Sequence, residues 1–105
     1  MTALSLIYVT APTKEEAQTI GRALLEKKIA ACINLIEGME SHYWWEGKIE
    51  SARECVLIVK TTDDKVDSAI AVVKAMHSYT TPCAISWKIE KGNPGYVKWL
   101  EESVL

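Results

Sequence analysis

One overlong hairpin does most to limit what this 105-residue chain can become. The chain runs outward through a strand-like stretch, Ile29–Ile36, resumes extended character through Ser41, Tyr43 and Trp45, and reverses at Glu46-Gly47. It returns from Lys48 to Thr61, most apolar at Cys55-Val56-Leu57-Ile58-Val59. Two extended runs about a glycine-containing reversal read as a β-hairpin. Its arms, at about ten to fifteen residues, exceed the usual five or six, so the distal half is expected to project past the body of the domain. Glu37-Gly38 breaks the outward arm and offers a place for a bend or bulge. The distal half also holds Tyr43-Trp44-Trp45, in a chain with four Trp, four Tyr and no Phe. Neighbours on a strand face opposite sides, so one small core can cover only part of that run.

The rest of the chain supplies a body for the hairpin. Leu4–Thr10 is apolar on both faces and reads as a central strand, broken by Ala11-Pro12. Thr13-Lys14-Glu15-Glu16 is a capping box, in which the Thr13 hydroxyl accepts from the Glu16 amide and the Glu16 carboxylate returns to the Thr13 amide. Ala17, Ile20, Leu24 and Leu25 follow on one stripe of a helix expected from Lys14 to Lys28, with Lys27-Lys28 in its last turn. Thr61-Thr62-Asp63-Asp64 offers N-caps for a second helix with a stripe of Val66, Ala69, Ile70, Val73 and Met76, ending near His77. Ser78–Pro82 is a loop and Cys83–Ile89 a strand; Asn93 then caps a short helix that has Pro94 in its first position. The order β-α-β-β-α-β plus a terminal helix is the split βαβ pattern of an α+β, ferredoxin-like sandwich, one domain over residues 1–105.

Two single-stripe helices cover one face of a four-stranded sheet and leave the other open. Strands apolar on both sides imply that the open face is covered too, most simply by a second copy of the chain. The three hairpin aromatics, Tyr43, Trp44 and Trp45, add ~450 to 750 Å² of apolar surface, as large as the largest patch usual on a monomer. They are the expected subunit interface, with His42 beside them at its rim.

Composition excludes several partners. A net charge of -2 with no basic cluster leaves no electrostatic footprint for nucleic acid or an anionic membrane. Apolar stretches of about five residues fall far short of the ~20 that span a bilayer. The start of the chain lacks the basic region and small-residue site of a signal peptide, which makes the cytoplasm the default expectation. Cys32, Cys55 and Cys83, 23 and 28 positions apart, form no C-x-x-C pair and read as reduced, mostly buried thiols. No serine-hydrolase elbow, zinc-protease helix or phosphate loop is present in the sequence. Cys83 with His77 is the one nucleophile-and-base pair on offer, and catalysis is not expected.

Five blocks carry a resemblance across essentially the whole chain: Ala30-Ala31-Cys32-Ile33-Asn34, Tyr43-Trp44-Trp45-Glu46-Gly47-Lys48-Ile49, Ile58-Val59-Lys60-Thr61-Thr62, His77-Ser78-Tyr79-Thr80-Thr81-Pro82, and Gly92-Asn93 with Tyr96 and Trp99. In order and spacing they resemble the CutA family of divalent-cation tolerance proteins. The resemblance implies a ferredoxin-like fold, a homotrimer whose hairpins reach across neighbours, cytoplasmic residence, and a link to tolerance of copper and other divalent cations. It also implies an architecture like the PII nitrogen-signalling trimers, which bind small ligands in clefts between subunits. No cofactor is obligatory; copper or another divalent cation is the candidate ion. The chain departs from the family in the loop His77–Cys83, which lacks two carboxylates common there. Thr10 stands where some members carry Cys, and Met76 where some carry a second His. Of the copper site inferred for such members only His77 remains, and one imidazole is not a site.

Three candidate sites follow. For a metal, His77 is an imidazole suited to Cu, Zn or Ni at a reachable helix end, or else a residue that satisfies last-turn carbonyls. Cys83, six residues on, would add a soft thiolate favouring Cu(I), or is a small buried hydrophobe. Cys32 is a third thiol, sharing a strand face with Asn34. For a small anion or metabolite, Asn34, Lys60 and Tyr79 are the expected cleft residues. A trimer serving only as a scaffold needs neither set.

Overall fold

The structure, a computed structural model, describes residues 3–105. β1 (Leu4–Ala11) leads to α1 (Lys14–Glu26), β2 (Cys32–Trp45) and β3 (Lys48–Thr62). A 3-10 turn (Asp63–Lys65) opens α2 (Val66–Met76), followed by β4 (Ala84–Ile89) and α3 (Pro94–Ser103). The sheet order is β2-β3-β1-β4 and every neighbouring pair is antiparallel, which is the ferredoxin-like arrangement.

Alternation along the strands builds the core on one face. Ile7 and Val9 of β1 lie opposite Val59 and Leu57 of β3. All four are sealed from water by Ala17, Ile20 and Leu24 of α1 and by Ala69 and Val73 of α2. Gly21 lets α1 approach β2 closely, because a Cβ there would collide with the Ile33 side chain.

Several boundaries differ from expectation, at the second helix because distant groups took the local signal. α1 stops at Glu26, not Lys28: Lys28 turns left-handed at φ 61°, Ile29 N–H donates to Leu24 O, and Lys28 N–H donates to Leu25 O. This is a Schellman closure with lysine in the place glycine usually takes, and it carries residues 29–31 out of β2. The expected caps of the second helix are used elsewhere: the Thr61 hydroxyl donates to Ile29 O, and the Asp63 carboxylate accepts from Ser5 Oγ at 2.9 Å. β3 therefore continues through Thr62, and α2 begins without a side-chain cap. Finally, β4 begins at Ala84, with Cys83 just outside it.

The other face is less covered. Cys32, Asn34 and Ile36 lie beside Lys60, Ile58 and Val56, and these beside Leu6, Tyr8 and Thr10. α3, capped by Asn93 as expected, packs against β3, but Ile36, Ile85 and Trp87 stay more than half exposed. At Glu37-Gly38 two residues of β2 face one of β3, a bulge with Gly38 at φ 79°. Beyond it Met39, Tyr43 and Trp45 continue the open face, while Glu40, His42 and Trp44 continue the helix side. Glu46 and Gly47, both at positive φ, close the arm in two residues. The arm makes the molecule 45 Å long against 25 and 22 Å in the other directions.

Candidate functional site

The densest polar arrangement lies where the end of β1 meets the residues after α2. His77 Nε2 is 2.8 Å from the Thr10 carbonyl, and Tyr79 N–H donates to Nδ1 at 3.0 Å. A carbonyl only accepts, so the ring proton is on Nε2 and the lone pair at Nδ1 is already engaged. Glu16 Oε2 sits 3.3 Å from Nδ1 and accepts from both Ser78 N and Ser78 Oγ at 3.0 Å. The Tyr79 ring packs on the imidazole with centroids 4.7 Å apart. The expected reachable imidazole is corrected by this geometry: the His77 side chain is 0% exposed and both nitrogens are bonded. The capping box is likewise only half formed, since Thr13 accepts from Glu16 N at 3.1 Å while the Glu16 carboxylate turns to Ser78.

Next to this junction, around the bulge, lie Tyr8, Met39, Glu54, Tyr79 and Cys83. Tyr79 OH donates to Glu54 Oε2 at 3.0 Å, and Tyr8 OH lies 3.2 Å from Met39 Sδ. Burial, then the hydrogen bond and charge of Glu54, pushes the Tyr79 phenol up to about 12. Burial and the Glu54 charge also raise the Cys83 thiol, partly offset by a hydrogen bond with Thr10. Cys83 is thereby held in its protonated form, which makes it a poorer metal ligand than the expected thiolate. Among the described residues no three His, Cys, Asp or Glu side chains converge to hold an ion.

The anion-site residues divide. Lys60 lies opposite Cys32, its Nζ 3.3 Å from Tyr96 OH and 5.4 Å from the centroid of that ring. Asn34 Oδ1 is 3.9 Å from Cys32 Sγ, so these residues form one neighbourhood on the open face. Tyr79 is not in it: its partner Glu54 is six positions along β3 from Lys60, ~20 Å at 3.3 Å per residue. Within one chain Cys32 lies opposite Lys60, four positions along β3 from the Val56 that pairs with Thr10, ~13 Å at 3.3 Å per residue, so the three expected metal ligands are not brought together.

On the arm, Trp44 is 73% and Trp45 57% exposed. Tyr43 and Trp45 extend the open sheet face and Trp44 backs onto the other side, giving two aromatic surfaces in place of one.

Residues 5–103 match the family described as CutA1 divalent ion tolerance protein. The chain belongs to that family. It is 50% identical over 100 residues to the divalent-cation tolerance protein CutA of Archaeoglobus fulgidus, covering 95% of this chain and 97% of the relative. The solved structure of the Archaeoglobus fulgidus protein, described as periplasmic, superposes with a TM-score of 0.94 at 49% identity, over 97% of this chain and 99% of that one. The crystal structure of the divalent ion tolerance protein CutA1 from Ehrlichia chaffeensis gives a TM-score of 0.94 at 37% identity, over 100% of this chain and 98% of that one.

Three residues of this CutA chain gained roles that its sequence did not suggest. Glu16 had been claimed by a good local motif, and nothing near it marked Ser78, 62 positions away, as the stronger partner. Glu54 reads as an ordinary charge on a strand until the loop brings Tyr79 to it. Tyr96 was visible within the Gly92-Asn93 block, but its partnership with Lys60 depends on how α3 packs.

Proposed function

We propose that this CutA-family protein works as a homotrimer that binds copper or another divalent cation and so contributes to tolerance of those ions. The observation that carries the assembly is the apolar face of the sheet, left open by three helices and prolonged along the arm by Tyr43 and Trp45. Surface of that kind on one chain calls for a partner, and a self-complementary one is the simplest. The tolerance role is supported by the family and by relatives named for it. The three free cysteines fit a reducing cytoplasm, although the Archaeoglobus fulgidus relative is described as periplasmic. We read no reaction into the protein: Cys83 is kept a thiol, and His77 has no free nitrogen with which to act as its base.

Sedimentation at micromolar concentration tests the assembly. A trimer has a mass of 3 × 11.7 kDa, about 35 kDa, and a dominant 11.7 kDa species overturns this reading. Titration of the trimer with Cu(II) and Zn(II) tests the binding, with saturable uptake expected and millimolar, unsaturable uptake counting against it.

A further inference from the structure

Covering the open sheet face, as the assembly just proposed requires, meets its electrostatic obstacle at one residue. Lys60 is the one charged side chain that the strands place on the body part of that face, between Cys32 and Leu6 of the neighbouring strands. Its ammonium has three protons to donate; Tyr96 OH, 3.3 Å away, accepts one, and the centroid of the Tyr96 ring lies 5.4 Å off. Among the described residues no carboxylate forms an ion pair with it. An ammonium shut away from water without a counter-charge is strongly unfavourable. Resting on the assembly reading, we propose that the covering copy supplies that charge: the Glu50 carboxylate of one chain pairs with Lys60 of the next.

The strand register singles out Glu50. Cross-strand partners share a face, so Glu50 lies with its partner Tyr43 on the arm surface that carries the assembly aromatics. It is exposed and, among the described residues, has no ion pair of its own. Glu54, the other acid on that surface, is engaged by Tyr79 OH. Lys48, opposite Trp45, is the cation there, and like charges repel, so the docking register must bring Glu50 to Lys60 and keep Lys48 away from it. Within one chain the two residues are ten positions apart on β3, ~33 Å at 3.3 Å per residue, so they can meet only between copies.

An arm laid on a body joins two different surfaces, and each copy both gives an arm and receives one. Heterologous contacts of this kind close into a ring when the rotation allows, which a trimer needs and a two-fold dimer does not. The pair's main contribution is to fix the register of the arm and to reject wrong dockings.

A charge swap read by sedimentation over a dilution series tests the contact, with circular dichroism to verify that each variant is folded. Lys60→Glu and Glu50→Lys are each expected to raise the protein concentration at half-assembly about a hundredfold or more, and the double variant to recover most of that loss. Only residues that touch rescue one another in this way. The gentler Lys60→Met and Glu50→Gln close a second cycle, in which the double variant is expected to lose less than the two single losses combined. Wild-type assembly by Glu50→Lys, or a charge-swapped double no better than its single variants, overturns the contact while the trimer stands. A wild type that sediments as an 11.7 kDa monomer ends the assembly reading, and the contact with it.

Discussion

At the junction of β1 and α2, the His77 ring is wholly out of water, fixed between the Thr10 carbonyl and the Tyr79 amide. On the arm, His42 is 59% exposed and its nearest partners are the side chains of Ser51 and Glu40. The same imidazole is thus a strut in one place and an exposed surface group in the other. What separates them is the type of partner: backbone groups that have no water to fall back on, against side chains that do. The contrast extends to the body and arm of the β2–β3 ladder. In the body, Leu57 is covered by α1 and α2; on the arm, Trp45 meets nothing within its own chain that covers it.

Substitution at those two positions should separate them most. Leu57→Ala is expected to cost about 2 to 5 kcal/mol of stability at every protein concentration, through a cavity in a closed core. Trp45→Ala is expected to cost up to about 3 to 5 kcal/mol, but through assembly, so that its effect on the denaturation midpoint depends on protein concentration. Denaturation over a hundredfold dilution series distinguishes the two, and a concentration-independent loss for Trp45→Ala breaks the comparison.

The two histidines give the next largest difference. His77→Ala strands the buried Thr10 carbonyl and the Tyr79 amide, at about 1 to 3 kcal/mol by urea unfolding. His42→Ala, on an exposed strand, should stay within about 0.5 kcal/mol. Equal losses would mean that His77 is not the strut described.

The smallest effect is a pH dependence at the Tyr79–Glu54 contact. The phenol is raised from 10.0 to about 12 in the folded chain, so between those values the folded state keeps a proton that the unfolded state has lost. Stability therefore falls as pH rises from about 10 to about 12, and the contribution is complete below that window. Tyr79→Phe should flatten this part of the stability–pH curve, which thermal melts across the range would record.

The element order, the reversal at Glu46-Gly47, the break at Glu37-Gly38 and the stripes of α1 and, except for the exposed Met76, of α2 were legible in the sequence, because periodicity and turn chemistry are local. The ends of elements were less so. Lys27-Lys28 looked helical until Leu24 O was taken by Ile29, and Thr61 and Asp63 looked like caps until Ile29 O and Ser5 claimed them. The candidate site was less legible still. Apart from Cys83, which falls just outside β4, its residues were placed on the strands and loops expected, but the burial of His77 depends on a carbonyl 67 positions away, and no local pattern encodes that.

The bulge at Glu37-Gly38 gives this family member a genetic degree of freedom. Loss of one codon there would close the bulge and leave one residue of β2 facing one of β3, so Met39 would stay opposite Glu54 and every side chain beyond it would keep its side. Tyr43 and Trp45 would remain on the open sheet face, and Glu40, His42 and Trp44 on the helix side. The same deletion inside β1 or the proximal half of β3 would turn the core into water. The hairpin can therefore lose a residue at the bulge without turning its side chains over.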